Sequence, residues 1–280
     1  MTSQPPHGAD LHLHTIFSDG AYTPEDLVAA AHRNRLATIG LTDHDTLDGF
    51  ERTSRAAEEL SLEAIPGVEF SCPSQGDREE AHIVGLFLDP GHDELQDTLK
   101  QFRENRRRRA IRMVEELNRM GVALHADDVL KLAGVGNISR LHVAHAIVNA
   151  GHVPSIEAAF RRYIRKGAPA YVPRDRPSAD WTIALIHRAG GVAVLAHPGL
   201  TKRDEDIPRL VSYGLDALEV YCPDHDSNME QHYLDIAAQH RLLVSAGSDC
   251  HGHNKKRSHL GSIRLDRNHV EALRERASGQ

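Results

Sequence analysis

Residues 10–14 read Asp10-Leu11-His12-Leu13-His14 and place two histidines two positions apart in an apolar run. A β-strand directs residues i and i+2 to the same face of a sheet, so both imidazoles are predicted to point together. A second pair with this spacing is Asp249 and His251, which follow another apolar run. Imidazole and carboxyl groups that converge from several strand ends predict a metal centre.

Strands and helices alternate on both sides of this stretch. Thr23 and Pro24 suit the N-cap and the first turn of a helix that ends near Asn34. Further helices are predicted over residues 48–60, 178–188 and 228–239. We predict strands over residues 10–14, 37–42, 63–69, 81–88, 191–198, 217–221 and 242–249. Such alternation predicts an α/β fold with parallel strands and right-handed crossovers.

A helical stretch interrupts this alternation. It is predicted to open with one long charged helix over residues 94–120, which contains the run Arg106–Arg109. Shorter helices are predicted over residues 126–133, 139–149 and 155–165. We therefore predict a barrel of about seven strands whose two parts span residues 8–94 and 171–280, with an all-helical insertion over residues 95–170.

Composition bounds the class of protein. The chain has 280 residues, of which 40% are hydrophobic and 26% charged, as is ordinary for a globular protein. Its formal charge of −7 argues against a protein that coats duplex DNA. The sequence has no run of about 18 apolar residues. Residues 1–8 have no basic segment and no apolar segment, so we expect a short tail and not a signal peptide. Three cysteines without a CxxC pair argue against a disulfide framework, so we expect a cytoplasmic protein without a membrane partner.

Several motifs resemble those of the PHP (polymerase and histidinol phosphatase) family of phosphoesterases. They lie over residues 8–93 and 171–265, on both sides of the helical stretch. The motifs are His12-x-His14, Ser18-Asp19-Gly20, Thr42-Asp43-His44-Asp45, Gly67-Val68-Glu69, His82, Ala196-His197-Pro198 and Ser248-Asp249-x-His251. The resemblance implies a distorted (β/α)7 barrel that holds two or three divalent ions. The ligand set that it implies is His12, His14, Asp19, His44, Glu69, His82, His197, Asp249 and His251.

The helical stretch resembles one branch of that family. The segments Asn137-Ile138-Ser139-Arg140-Leu141-His142 and Tyr163 to Pro173 are similar to those of nucleoside 3′,5′-bisphosphate phosphatases and of enzymes that trim RNA from its 5′ end. Ser139 suits an N-cap, and a helix N-terminus with a nearby guanidinium can receive a phosphate group. Ser139, Arg140 and His142 are therefore the candidate substrate-binding residues.

The ligand types indicate how the reaction would proceed. Divalent ions neutralise an anionic phosphate ester and lower the pKa of a bound water from about 15.7 to roughly 7. A carboxylate between two ions, for which Glu69 is the candidate, would hold them so that a bridging hydroxide attacks phosphorus in line. Mixed nitrogen and oxygen ligands favour Mn, with Fe or Zn as alternatives, over Mg or Ca. The candidate catalytic residues are Asp19, Glu69, His197 and, as a substrate contact or acid, His225.

Ordinary structural roles compete with some of these interpretations. Asp10 shares the face of His12 and His14 and is interpreted as a carboxylate that orients an imidazole, with a role as a ligand as the alternative. Glu219 either faces the site or is a structural carboxylate. The Arg106–Arg109 run resembles a polynucleotide-binding signal, but a helix spreads four consecutive residues around its circumference, so a solvated face is favoured. Cys250 is expected to pack rather than to bind metal.

The sequence therefore predicts a metal-dependent phosphoesterase. The favoured substrate is a nucleoside 3′,5′-bisphosphate, from which the enzyme would remove the 3′-phosphate to leave a 5′-nucleotide. A 5′→3′ exoribonuclease acting on short 5′-phosphorylated RNA is the close alternative. Histidinol phosphate or another small phosphomonoester is a further alternative. A non-catalytic metal-binding interaction module is an alternative of another class.

Overall fold

The computed structural model describes residues 7–73, 80–254 and 260–279. The chain separates into two compact units. One comprises the residues up to Gln96 together with those from Arg176 onward, and the other is Asp97–Asp175. The predicted insertion of residues 95–170 overlaps the second unit.

A curled sheet of seven strands organises the first unit. In chain order, the strands are β1 (Ala9–Leu13), β2 (Thr38–Leu41), β3 (Glu63–Pro73), β4 (Glu80–Leu86), β5 (Val192–Leu195), β6 (Ala217–Tyr221) and β7 (Leu243–Ala246). They pair in that same order across the sheet. The two edges of the sheet approach each other beyond the strands, where the His14 N–H donates to the Cys250 carbonyl over 3.1 Å. The chain thus has the α/β barrel-like fold that was predicted.

β4 departs from the predicted parallel pairing. It runs antiparallel to both β3 and β5, whereas the other neighbouring strands pair in parallel. Only residues 74–79 separate β3 from β4, too few for the crossover that parallel neighbours require. β3 is also longer than predicted, because it continues past Glu69 to Pro73. The reversal brings His82, near the start of β4, opposite Ser71 near the end of β3.

Helices cover the outside of this sheet. They are α1 (Pro24–Arg33), α2 (Phe50–Glu59), α7 (Ala179–Arg188), α8 (Pro198–Thr201), α9 (Ile207–Ser212), α10 (Ser227–His240) and α11 (Arg267–Ser278). α1 begins as predicted, since the Thr23 side chain accepts the Asp26 N–H and Pro24 occupies the first turn. The strands read as apolar runs because they are buried: β1, β2 and β5 have no exposed residue. α8, α9 and α11 were not predicted.

The second unit is helical. It contains most of α3 (Asp93–Arg119), then α4 (Ala126–Leu132), α5 (Arg140–Asn149) and α6 (Ile156–Ala159), which passes into a π-turn over Phe160–Ile164. Its core contains Leu117, Val143 and Ile147, all fully buried. Arg107 and Arg108 are exposed while Arg106 and Arg109 are half-buried, as expected for consecutive residues around one helix.

Candidate metal centre

The nine residues predicted as ligands converge at one end of the curled sheet. His12 lies in β1 and His14 just beyond it, Glu69 lies within β3, and His82 lies near the start of β4. The remaining five follow strands or lie in loops. The groups whose donor atoms lie within 4.8 Å of one another are His14, Asp19, His44 and His251; His12, His14, Glu69 and Asp249; and Glu69, His82 and His197.

Glu69 occupies the centre of the cluster. Its Oε2 lies 3.2 Å from His12 Nε2, from His14 Nε2 and from His44 Nδ1. Its Oε1 lies 2.6 Å from His82 Nδ1 and 3.3 Å from His197 Nε2. The two carboxylate oxygens therefore face different sets of imidazoles, an arrangement suited to a carboxylate between two ions.

Asp249 and Asp19 complete the other two groups. Asp249 Oδ1 lies 3.2 Å from His14 Nε2 and 3.3 Å from His251 Nδ1. Asp19 Oδ1 lies 3.2 Å from His251 Nε2. The Asp19 side chain is 28% exposed, against 1% for Glu69, so the cluster opens to solvent on the side of Asp19.

Several buried nitrogen and oxygen atoms that could bind a metal form no hydrogen bond, which indicates that this cluster fits divalent ions. Among the described residues, His12 Nε2, His14 Nε2, Glu69 Oε2 and His197 Nδ1 are buried and form no hydrogen bond. Buried polar groups are nearly always paired, so such atoms require a partner of another kind. Imidazole nitrogen and carboxylate oxygen together suit transition-metal ions.

The crowding of acids and imidazoles shifts their pKa values in opposite directions. Burial alone would lower the pKa of His14, but Asp249 and Glu69 outweigh it and raise that pKa to about 10. Burial likewise opposes the rise of the His82 pKa to about 9, which Glu69 and Glu80 cause. The Glu69 pKa is driven well below its usual range despite burial, because the surrounding imidazoles favour the carboxylate.

Glu219, whose role the sequence left undecided, contacts two of the candidate ligands. It is buried in β6, and its Oε1 lies 3.0 Å from His12 Nδ1. Its Oε2 accepts the His197 N–H over 2.7 Å. A carboxylate on the far nitrogen of an imidazole fixes the tautomer and leaves Nε2 for the ion. No local pattern could have revealed this role, because 207 residues separate Glu219 from His12.

Two other acids hold the loops that carry ligands. Asp43 accepts hydrogen bonds from the Thr15 N–H and from the Thr15 and Ser18 hydroxyls, which fixes the loop before Asp19. Asp10 was predicted to orient an imidazole, but it instead accepts the Ser248 N–H over 2.8 Å. Burial raises the pKa of Asp10 to about 6, although Ser248 opposes that rise.

Two ligand candidates occupy left-handed backbone. His197 has φ 30° and Asp249 has φ 50°. Such conformations are costly for residues other than glycine and recur at functional sites, where the surrounding structure holds them. Gly247 lies close to the same loop, since a Cβ there would overlap the His12 Cβ and approach Glu219 Oε1 to 2.5 Å.

The geometry does not support the prediction that His225 acts as an acid or contacts the substrate. His225 is buried, and its Nε2 accepts the Gly199 N–H over 3.0 Å. Its Nδ1 donates to the Val220 carbonyl over 2.7 Å. With both ring nitrogens bonded to backbone, neither is left to donate a proton to a leaving group. Cys250 packs in a hydrophobic cluster, as expected.

The predicted substrate residues lie together in the helical unit. Ser139 caps α5, its side chain accepting the Leu141 N–H, while His142 Nδ1 accepts the Ser139 N–H. The Arg140 guanidinium lies over the Tyr171 ring at 5.8 Å, and that of Arg109 over the same ring at 5.7 Å. Burial and the positive charge of Arg140 lower the pKa of Arg109 to about 10.

The fold and the site together define a metal-dependent hydrolase on an α/β barrel. Comparison with known proteins identifies the family. Residues 10–170 match the PHP domain. The chain is 37% identical over 251 residues to the 5′-3′ exoribonuclease Rnm of Salmonella typhimurium, covering 86% of this chain and 84% of that protein. It is 36% identical over 248 residues to the 3′,5′-nucleoside bisphosphate phosphatase of Chromobacterium violaceum, covering 86% of each.

A solved structure from Bifidobacterium adolescentis, assigned as a metal-dependent phosphoesterase, has 34% sequence identity and a TM-score of 0.85, with 98% of each chain covered. The chain therefore belongs to the PHP family and is a metal-dependent phosphoric ester hydrolase. Among its described helices, none is long and apolar enough to cross a membrane.

Proposed function

We propose that this enzyme hydrolyses the 3′-phosphate of a nucleoside 3′,5′-bisphosphate and releases a 5′-nucleotide. The observation that carries the proposal is the convergence of all nine predicted ligands into three overlapping groups of donor atoms. The choice of substrate is supported by the Chromobacterium violaceum relative, which is named as a phosphatase of these compounds and matches along 86% of both chains.

The nine residues are proposed to hold two or three divalent ions, with Mn favoured over Fe and Zn. When bound, the ions would neutralise the phosphate charge and activate water as the nucleophile. Glu69 would hold neighbouring ions apart, because its two oxygens face different imidazoles. Asp19 would line the entrance for the phosphate, since it is the most exposed acid of the cluster.

Ser139, Arg140 and His142 are proposed to bind the second phosphate. Ser139 and His142 fix the start of α5 through their capping bonds, and Arg140 supplies the positive charge. In the described part of the chain, Arg140 and Arg109 share the Tyr171 ring and neither forms an ion pair with a carboxylate. Two neighbouring guanidinium groups without a nearby counter-charge favour an anionic ligand with bidentate oxygens.

A 5′→3′ exoribonuclease is the second candidate function. The Salmonella typhimurium relative that carries this name is 37% identical over 86% of the chain. The same ions would serve a phosphodiester as well as a monoester, because the attack on phosphorus is alike. A short 5′-phosphorylated RNA would then supply the terminal phosphate that Arg140 binds.

A substrate panel tests the proposal. Protein purified with Mn²⁺ is incubated with adenosine 3′,5′-bisphosphate, histidinol phosphate and a 5′-phosphorylated oligoribonucleotide, and products are separated by chromatography. We expect the bisphosphate to yield 5′-AMP and phosphate with the highest kcat/KM. Shortening of the oligoribonucleotide without release of phosphate from the bisphosphate would replace the proposal with the exoribonuclease. A preference for histidinol phosphate would reject both.

A further inference from the structure

The turn that carries His197 is held in an unfavourable backbone conformation. His197 follows β5 with φ 30° and ψ 56°, in the left-handed region. Pro198 comes next, and a residue before proline prefers extended backbone. A non-glycine residue stays in such a conformation only where its surroundings fix it. The turn therefore requires contacts that the backbone itself does not provide.

Two buried side chains supply those contacts. Glu219 Oε2 accepts the N–H of His197 over 2.7 Å, and His225 Nε2 accepts the N–H of Gly199 over 3.0 Å. The two acceptors thus hold the amides on either side of Pro198, which has no N–H of its own. The next amide needs no acceptor from outside the turn, because the Leu200 N–H donates to the His197 carbonyl over 3.0 Å.

The orientation of the His225 ring is itself fixed. Its Nδ1 donates to the Val220 carbonyl over 2.7 Å, so that its Nε2 carries no proton and accepts. The ring stacks on Tyr233 with 4.8 Å between the ring centroids and an interplanar angle of 23°. The contact also requires glycine at position 199, since a Cβ there would approach His225 Nε2 to 2.6 Å.

We propose that His225 is a positioning residue, which with Glu219 holds the left-handed turn so that His197 presents its imidazole to Glu69 and His82. The proposal rests on the proposed function only in taking His197 as a metal ligand. It assigns His225 an indirect role in place of proton donation. Loss of the Gly199 contact would release the turn and weaken the ion site formed by Glu69, His82 and His197.

Two substitutions separate this role from simple packing. His225→Phe keeps a ring against Tyr233 but removes the acceptor for Gly199. His225→Gln gives up the ring but retains an amide oxygen that can accept the same N–H. A packing role predicts that Phe is tolerated and Gln is not, whereas the positioning role predicts the opposite order. His232→Phe makes the same substitution on an exposed side chain of α10 and serves as the matched control.

Two measurements that do not depend on catalytic turnover distinguish the positioning role from a packing role. Hydrogen exchange at the Gly199 amide is followed by NMR in metal-free protein, and Mn²⁺ affinity and stoichiometry are measured by titration. In His225→Phe we expect faster exchange and roughly ten- to hundred-fold weaker binding at one ion site. His225→Gln and His232→Phe should resemble the wild type in both measurements.

Failure of the positioning role and failure of the proposed function give different results. A wild-type protein that binds Mn²⁺ but cleaves none of the panel would end the function and leave these measurements valid. Protected exchange and unchanged Mn²⁺ binding in His225→Phe would overturn the positioning role, as would equal losses in both variants. If His225→Phe does not fold, exchange in His225→Gln decides, because fast exchange there contradicts the role of the acceptor.

Discussion

Glu219 connects two ligand candidates, His12 and His197, that lie far apart in the sequence. One oxygen fixes the His12 imidazole and the other holds the His197 backbone. Both partners donate, so the residue must offer two acceptors at once. A carboxylate does this and a carboxamide does not, because one of its two polar atoms is a donor. The identity of the side chain, and not only its size, is therefore constrained.

Replacement of Glu219 by Gln should weaken metal binding without unfolding the protein. We expect roughly ten- to hundred-fold lower Mn²⁺ affinity, because the carboxamide oxygen can accept from either His12 Nδ1 or the His197 N–H but not from both. A competition titration against a chelating dye measures the affinity, and circular dichroism reports the fold. Glu275→Gln, on an exposed position of α11, is the control that should behave as wild type. Unchanged affinity in Glu219→Gln would contradict the requirement for two acceptors at this position.

Replacement of Asp249 by Asn tests the ligand set directly. Asp249 Oδ1 lies within 3.3 Å of both His14 and His251, so a neutral amide in its place removes the negative charge and weakens this oxygen as a ligand. We expect kcat to fall by more than about 100-fold, beyond the usual effect of an outer partner. Asp235→Asn on α10 changes the same charge outside the cluster. Retention of activity in Asp249→Asn would show that the negative charge of Asp249 is not required.

The sequence identified residues by local spacing and missed those defined by distant contacts. His12 and His14 were predicted to point together because strand periodicity is local, and both lie beside Glu69. The roles of Glu219 and Asp10 depend on which strand lies beside which, across more than 200 residues. His225 was predicted to be a substrate contact or an acid, whereas both of its ring nitrogens contact backbone, one of them at Gly199, 26 residues away in the sequence.

Among the elements, β4 shows how connection length sets strand direction. The alternation of helices and strands predicted parallel neighbours, but only six residues separate β3 from β4, whereas a crossover between parallel strands needs a dozen or more. Because β4 runs antiparallel to β3 and β5, it begins at the edge of the sheet where those two strands end. His82 therefore reaches the cluster from the start of its strand, while His14 and His197 reach it from strand ends.

The end of β7 is predicted to tolerate no side chain at Gly247. A Cβ there would overlap His12 and press on Glu219, so the strand would have to move away from β1. Overpacking of a buried contact typically costs about 1–3 kcal/mol. We expect Gly247→Ala to lower the free energy of unfolding by this amount in urea titrations. Gly91→Ala, where the added Cβ meets only Asp89 at 3.3 Å, should cost less. Equal stability of the two variants would contradict this prediction.

Arg140 in the helical unit is expected to make the enzyme prefer substrates that carry a second phosphate. Removal of one charged hydrogen-bonding group costs about 1.5–3 kcal/mol, which is roughly a ten- to hundred-fold change. Arg140→Ala should raise KM for adenosine 3′,5′-bisphosphate by that factor and leave the constants for adenosine 3′-monophosphate unchanged. Arg161→Ala, which pairs with Glu157 on the surface, is the control. Equal effects on both substrates would remove Arg140 from phosphate binding.

For the whole molecule, the cluster links stability to pH. In metal-free protein the pKa values of His14 and His82 lie at about 10 and about 9, above the value of about 6.5 for an unfolded histidine. The two groups therefore stabilise the folded state fully below pH 6.5, and this stabilisation is lost as pH rises toward 10. We expect the Tm of metal-free protein to fall between pH 7 and pH 10.

Mn²⁺ should reverse that dependence, because bound ions replace the protons on these imidazoles. Affinity for Mn²⁺ should rise with pH over the same interval, with proton release detected by calorimetry in two buffers of different ionisation enthalpy. At a free ion concentration of 100 times Kd, the ion adds about 2.7 kcal/mol to stability. A Tm of metal-free protein that stays constant up to pH 10 would contradict the linkage.

The two oxygens of Glu69 face separate sets of imidazoles, so two ions bound in these groups would share this carboxylate. An ion at His12 and His14 would then change the affinity for an ion at His82 and His197, and the reverse effect would have the same size. Binding of the ions would in that case be cooperative through a single carboxylate. A cell that supplies scarce metal would hold this enzyme in a mixture of states whose proportions, rather than its abundance alone, set the rate of hydrolysis.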